Sequence, residues 1–320
     1  MSFIAGSLGV ACNHCHTNQF AEDTKPTKQT ARRMIQMMRK INADNFEGNT
    51  VVNCATCHQG RTKPTVIAPL AQADFQKALA TKPAAASVEP LPSADVILAK
   101  YVEALGGRAK IDRMTTQVMK GTRVDVSGSN PAATVPVEIY RKSPNKLLMV
   151  STSPGGTMTQ AFDGTKGWRK FNDRVSAIGG PDLLGARRDA VFLRNINIKE
   201  QYAQLKVADK EMVGAREAYV IEGTFTDDSP EKVLFGVLNE KLYFDTQTGL
   251  LIRRYLEYKT PFGQLPEATD YEDYKNFDGL NMPTTIRFTR APFSNLQKFD
   301  DIKLNAAIED EKFEMPPPKK

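Results

Sequence analysis

Cys12-Asn13-His14-Cys15-His16, CNHCH, is answered further along the chain by Cys54-Ala55-Thr56-Cys57-His58, CATCH. Each segment holds two cysteines three positions apart, with a histidine directly after the second. Between them the two segments contain all 4 cysteines and all 3 histidines of the 320 residues. On one helical turn, residues i, i+3 and i+4 share a face. Both thiols of a pair can therefore reach the vinyl groups along one edge of a haem, while the histidine sits under its iron. The spacing predicts c-type haem attachment. Cys12, Cys15, Cys54 and Cys57 are the expected attachment points, His16 and His58 the proximal ligands, and two covalently attached haem c the expected cofactors.

Two other chemistries draw on the same side chains. A zinc site built from all four cysteines would need a shorter gap than Cys15 to Cys54, and it gives no reason for a histidine after each pair. Two disulfides would close strained CxxC loops, which are redox-active rather than structural. Neither explains the repeated order of residues.

Composition divides the chain into three parts: a haem-type segment over residues 1–64, an Ala/Pro-rich linker over 65–93 and a strand-rich region over 94–320. The first part carries eight Lys/Arg against four Asp/Glu, most of the net +6 of the whole chain. No basic stripe interleaved with aromatics accompanies that excess, so nucleic-acid binding is not expected. Four haem propionates would offset it. No run of about 18 apolar residues is present, so no transmembrane helix is expected. MSFIAGSLGV lacks the pattern of a secretory signal. Because haem is joined to c-type apoproteins outside the cytoplasm, the protein is expected to be periplasmic or extracellular, with an export signal preceding residue 1.

Helical spacing of Met34, Ile35, Met38 and Ile41 predicts a helix within KQTARRMIQMMRKINADNF, with Thr27 or Thr30 as N-cap. ADVILAKYVEALGG reads as an amphipathic helix closed by Gly106 and Gly107. Alternating runs follow: QVMKGTRVDVS, TVPVEIYRK, NKLLMVST, TMTQAFDGTKGWRKF, EAYVIEGTFT, EKLYFDTQTGLLIRRYLEYK, TTIRFTR and FDDIKLNAAIE. FDGTKGW and FDTQTGLL supply hairpin turns, and a helix is expected within GPDLLGARRDAVFLRN. The fold class is α+β: a small helical haem domain followed by a curved antiparallel sheet with a few helices.

A c-type iron needs a sixth ligand unless it is catalytic. With one histidine left over, methionine is the natural source, from Met1, Met34, Met37 or Met38. Thioether–histidine ligation raises the potential relative to bis-histidine. QTARRMIQMMRKINADNF with VVNCATCHQGRTKP, paired with MSFIAGSLGVACNHCH, resembles the photosynthetic reaction-centre cytochrome c subunits over about residues 1–64. That resemblance implies a helix before each CxxCH that supplies the axial methionine, Met34 for one iron and Met1 for the other. Arg32 and Arg33 are candidates for propionates, with plain solvent exposure as the alternative. The chain departs from the tetrahaem members of that family in having two motifs, and it lacks the histidine that some members place before the second. Reaction-centre docking therefore does not follow. His14 is either a solvated side chain or a ligand to a haem of another subunit.

The opening helix, the AFDGTKGW and KLYFDTQTGLLIRR hairpins and the ending IKLNAAIEDEKFEMPPP resemble the outer-membrane lipoprotein carrier and sorting family. This implies a curved sheet with helices against its concave face, a shape able to hold an acyl chain. No histidine follows His58, so no Ser–His–Asp set exists there, and Asp163 and Asp245 are expected to serve their turns. The expected function is that of an exported diheme c-type cytochrome, an electron carrier rather than an enzyme, acting by outer-sphere transfer with redox partner proteins. In one version it self-associates into a haem-chained filament. The alternatives are a diheme peroxidase, which needs one five-coordinate iron, and a lipid- or lipoprotein-binding protein with a haem appendage.

Overall fold

The computed structural model describes residues 1–64, 90–126, 134–237, 239–290 and 293–317. Most of the expected linker, residues 65–89, lies outside them. The chain divides into two compact units, one of Met1–Pro92 with Thr260–Leu265, the other of Ser93–Lys259 with Pro266–Lys320. No helix among the described residues is long and apolar enough to cross a membrane.

The first unit holds helix α1 (Ser2–Leu8), a 3-10 turn at Cys12–His14, helix α2 (Pro26–Asn45) and the short helix α3 (Cys54–His58). α2 starts on Pro26, where the missing N–H costs nothing. Lys25 occupies the N-cap without a side-chain bond, so neither Thr27 nor Thr30 caps the helix as expected. Thr27 instead donates from Oγ1 to the His14 carbonyl, 2.6 Å away. α1 packs against α3. Beside that contact the Gly60 N–H donates to the Ser7 carbonyl at 2.8 Å. Gly9 has φ +64°, and a Cβ there would lie 2.2 Å from the Gly60 carbonyl oxygen. A side chain at position 9 would therefore force the two segments apart.

The second unit opens with α4 (Ala94–Leu105) and α5 (Arg108–Ile111). Ser93 caps α4 by accepting from the Val96 N–H, and Gly106 ends it at φ 120°. The strands β1 (Thr116–Asp125), β2 (Thr134–Lys142), β3 (Lys146–Ser153), β4 (Gly156–Phe162), β5 (Gly167–Phe171) and β6 (Arg174–Ile178) form a meander. After helix α6 (Gly180–Ala190) come β7 (Tyr202–Val213), β8 (Arg216–Phe225), the short helix α7 (Pro230–Phe235), β9 (Asn239–Asp245) and β10 (Leu251–Thr260). β11 (Gly263–Phe277), β12 (Leu280–Arg290) and β13 (Phe293–Leu304) complete the set. All lie in one 13-stranded sheet ordered β6-β5-β4-β3-β2-β1-β13-β12-β11-β10-β9-β8-β7. Two antiparallel meanders thus meet at a seam where the first strand pairs with the last.

This order dictates curvature. β6 and β7 are neighbours in the chain but occupy opposite edges of the sheet. In a flat sheet their edges would stand roughly 58 Å apart at about 4.8 Å per strand. The connection between them is not stretched over such a distance, because α6 packs on β3, β4 and β5 and also against α7 beyond β8. The sheet must curl around these helices. Side-chain alternation gives the curl two faces. Val118, Tyr140, Leu148, Ala161 and Trp168 are cross-strand partners in one row. That row is covered by Ile308 and Phe313, and Trp168 donates from Nε1 to the Phe313 carbonyl at 2.7 Å. Met119, Ile139 and Met149 form the next row, on the other face. Gly121 marks a register break in the seam, where a Cβ would meet the Lys298 carbonyl at 1.9 Å.

The turn aspartates do what their positions suggested. Asp163 Oδ1 accepts from the Thr165 and Lys166 N–H groups at 2.8 and 2.7 Å. Asp245 Oδ1 accepts from Gln247 and Thr248 at 3.1 and 2.7 Å.

Candidate functional site

CATCH is a helical turn because Asn53 and Thr56 make it one. Asn53 Oδ1 accepts from the Thr56 N–H, and Thr56 Oγ1 accepts from the Asn53 N–H, each at 3.1 Å. This capping box starts α3 at the first cysteine, so Cys54, Cys57 and His58 fall at i, i+3 and i+4 of one turn. The His58 ring then bonds through Nδ1 to the Arg61 carbonyl at 2.9 Å. A carbonyl can only accept, so Nδ1 carries the proton, and in the neutral ring Nε2 is the nitrogen with the lone pair.

The approach to this turn is fixed by a residue the sequence reading passed over. Asn42, buried near the end of α2, donates from Nδ2 to the Met38 and Val52 carbonyls at 3.1 and 2.7 Å. Its Oδ1 accepts from the Val51 and Val52 N–H groups at 3.1 and 2.9 Å. Both ends of the amide are thereby satisfied, and the segment leading to Cys54 is tied to the helix that carries Met34. A weak helix former held within a helix was the available signal.

CNHCH reaches a similar geometry by a tighter route. The Cys15 and His16 N–H groups both donate to the Cys12 carbonyl, at 3.3 and 3.0 Å. His16 Nδ1 lies 3.2 Å from the Phe20 carbonyl, so in the neutral ring the lone pair again falls on Nε2. The Phe20 ring stands 5.0 Å from the imidazole. Here the carbonyl is shared: Lys28 Nζ donates to it at 2.9 Å and to the Glu22 carbonyl at 2.7 Å, and pairs with Asp23 at 2.9 Å. The hydrogen bond from Lys28 holds the Asp23 carboxyl below its usual range; burial opposes it and the nearby Arg32 charge adds to it. Lys25 also donates to the Asn13 carbonyl. The start of α2 is thus laced to the first motif, while α1 leans on the second.

All four cysteines are free thiols, Cys12 and Cys57 exposed, Cys15 and Cys54 partly buried. Burial pushes the Cys54 thiol above its ordinary pKa. No three His, Cys, Asp or Glu side chains converge as a metal cluster among the described residues. Of the clustered methionines, Met38 is buried at 6% exposure, whereas Met34 and Met37 are 40% and 48% exposed and Met1 is 68% exposed. Met38 is core filler, and the thioethers of the other three remain open to a ligand. His14 is exposed in its 3-10 turn. Arg32 pairs with Asp23 at 2.8 Å, and Arg33 donates to Thr30 Oγ1 at 3.3 Å. Two free thiols per turn, an imidazole with Nε2 available and uncovered apolar side chains form a donor set that fits haem c.

Comparison with known proteins agrees with this chemistry. Residues 2–94 match the family described as photosynthetic reaction centre cytochrome C subunit. The chain is 44% identical over 63 residues to cytochrome c-554 of Chloroflexus aurantiacus, covering 18% of this chain and 15% of that protein. It is 30% identical over 151 residues to the photosynthetic reaction center cytochrome c subunit of Rubrivivax gelatinosus, covering 44% and 37%. It therefore spans well under half the length of these curated relatives. A crystal structure of a DUF1329 family protein from Desulfovibrio piger superposes with a TM-score of 0.51 at 15% identity, over 69% of this chain and 96% of that one. A LolA superfamily protein from Nitrosomonas europaea gives 0.49 at 16% identity, over 70% and 98%. These two are likenesses of fold. The amino-terminal part is thus similar in sequence to the reaction-centre cytochrome subunits, and the likeness of the carboxy-terminal part is one of fold alone.

Proposed function

We propose that the protein is an exported diheme cytochrome c that passes single electrons between redox partner proteins in the periplasm or outside the cell. The observation that carries this reading is the pair of CxxCH turns, each with its histidine Nδ1 facing a backbone carbonyl within hydrogen-bond distance. Haem c supplies a reversible one-electron iron couple at each turn. Cys12 and Cys15 hold one group and Cys54 and Cys57 the other, through thioether bonds. His16 and His58 are the proximal ligands. Their backbone hydrogen bonds fix the ring orientation and make each imidazole a stronger donor. Met34 serves as sixth ligand at one iron and Met1 at the other, which favours the reduced state relative to a second histidine. Asn42 and Lys28 hold the segments around the two histidines and limit reorganisation there.

The test is intact mass together with a pyridine haemochrome spectrum, on protein matured in a host competent for c-type attachment. A mass gain of two haems and low-spin spectra for both irons support the reading. A bare polypeptide mass overturns it. One high-spin ferric iron with peroxide turnover replaces it with a diheme peroxidase. Assembly into a haem-chained filament through His14 is a further version, tested by negative-stain microscopy of wild type and His14→Ala across concentrations. Monodisperse particles throughout remove it.

A further inference from the structure

Helix α2 is divided lengthwise by charge. At about 100° per residue, the side centred on Met34 holds Thr30, Ala31, Met37, Met38 and Ile41 and no charge. Lys28, Arg32, Arg33, Arg39 and Lys40, every cation of the helix, lie on the other side. Each stands about 100° or more around the axis from Met34. Asp44, the helix's one acidic residue, sits at the border between the two sides. From Lys28 to Lys40 the stripe runs about 18 Å along the axis, and Arg32, Arg33, Arg39 and Lys40 are exposed.

These charges are only partly neutralised within the segment. Asp23 pairs with Lys28 and Arg32 at 2.9 and 2.8 Å, and Asp44 with Lys40 at 3.0 Å. Arg33 donates only to the Thr30 hydroxyl, at 3.3 Å, and Arg39 has no partner among the described residues. Five cations thus face two carboxylates, an excess of three. That excess is not aimed at an iron held by Met34, whose side chain leaves the helix on the opposite side. Lys28 also donates to the Phe20 carbonyl that faces His16, so the stripe begins beside the first CxxCH turn. A field of one sign steers and orients a partner of the other.

We infer that the charged side of α2 is the docking surface for an acidic redox protein, which sits across Arg32, Arg33, Arg39 and Lys40 beside the first haem. The redox character of the partner rests on the electron-transfer reading; the surface itself does not. Arginine suits the role, because its guanidinium fork bonds a carboxylate twice. An anionic membrane fits less well. An amphipathic helix enters a membrane surface by its apolar side, and on α2 that side carries Met34 and the buried Met38.

Plastocyanin, an acidic copper protein that accepts one electron, is the probe. Ferrous haem gives that electron to Cu(II), leaving ferric haem and Cu(I). Titration of the full chain into 15N-labelled plastocyanin reads binding, and stopped-flow mixing with the reduced haem-loaded chain reads transfer. Both should weaken about tenfold or more between about 10 and 200 mM salt. Arg33→Glu with Arg39→Glu should lower both about tenfold at low salt and leave the midpoint potentials unmoved. Arg174→Glu with Lys206→Glu, two exposed positions of the second unit, changes the net charge equally and should cost less than about twofold. Equal losses in the two double variants overturn the inference, since net charge alone is then felt, and so does binding indifferent to salt. Capture on phosphatidylglycerol vesicles that needs Arg33 and Arg39, with plastocyanin unaffected, overturns it in favour of a membrane. A chain without haem that still binds through the stripe ends the electron-transfer reading alone. A haem-loaded chain that serves plastocyanin equally well without Arg33 and Arg39 ends this inference alone.

Discussion

Residues 1–64 and the sheet beyond them are held together by different means. Of 48 buried apolar side chains among the described residues, four belong to the first 64: Phe3, Ile4, Ala5 and Met38. The same stretch leaves Met1, Phe20, Met34, Met37 and Val51 exposed. So small an apolar core does not sustain a segment of this size on its own. Its order comes from local hydrogen bonding, by Asn42, Asn53 and Lys28. The sheet has a full core on one face and a sealed polar network near the other. One region is ordered by local hydrogen bonds, the other by its apolar core.

The largest consequence concerns the cofactor. With Cys12, Cys15, Cys54 and Cys57 all replaced by Ala, residues 1–64 should lose their helicity and become open to protease. The sheet should retain its cooperative melting transition. Limited proteolysis with mass mapping reads both, and continued protection of 1–64 would break the contrast.

Next comes the buried pair in the sheet. Arg254→Met strands Glu240 without its counter-charge and should cost about 3–5 kcal/mol in urea unfolding of the second unit. Adding Glu240→Leu should recover much of that loss, and the haem spectra should not move in either variant. The same pair sets an acid limit. Burial alone would raise the Glu240 pKa, but the Arg254 charge and hydrogen bonds override it and hold the carboxyl at about 2 against an ordinary 4.5. The folded state then binds fewer protons than the unfolded one. The stabilisation is complete above pH 4.5 and falls away as pH drops through about 2. Acid titration should show this decline in wild type and not in the double variant.

Asn42→Ala removes four hydrogen bonds and leaves backbone groups near Val52 to find water. A local loss of about 1–3 kcal/mol is expected, seen as faster amide exchange at Val51 and Val52 with the sheet unchanged. The smallest effect is expected from Lys28→Met. Freed of the ammonium, the Phe20 carbonyl should accept more strongly from His16, strengthen the imidazole as a donor and lower one of the two midpoint potentials. The shift should be under tenfold in the reduced-to-oxidised ratio, or about 59 mV for one electron. If both potentials move equally, the two turns are not distinguished by Lys28.

Most elements were legible where side-chain type and spacing agreed. α4 was closed by Gly106 and Gly107, and the Asp163 and Asp245 turns announced themselves. Strands β6, β7 and β11 were not foreseen. β6 and β7 are the two edges of the sheet, and YAQLKVADKEMV is largely polar because one side of it has no strand to meet. β11, GQLPEATDYEDYKNF, mixes a proline with four acidic residues and shows no clean alternation. It is a strand because β10 and β12 flank it. At the candidate site the cysteines and histidines were plain from spacing alone. Asn42 and Lys28 were not, because their work is to bind carbonyls brought near by folding, which leaves no periodic trace.

A ribosome finishes both CxxCH segments before it has made a single strand. The seam of the sheet follows the opposite timetable, since β1 must wait for β13. Until the last strand emerges, each half-meander carries a bare edge at the place that will become the middle. A translation stop near residue 290 should therefore leave an aggregation-prone sheet attached to a first segment that carries both CxxCH turns.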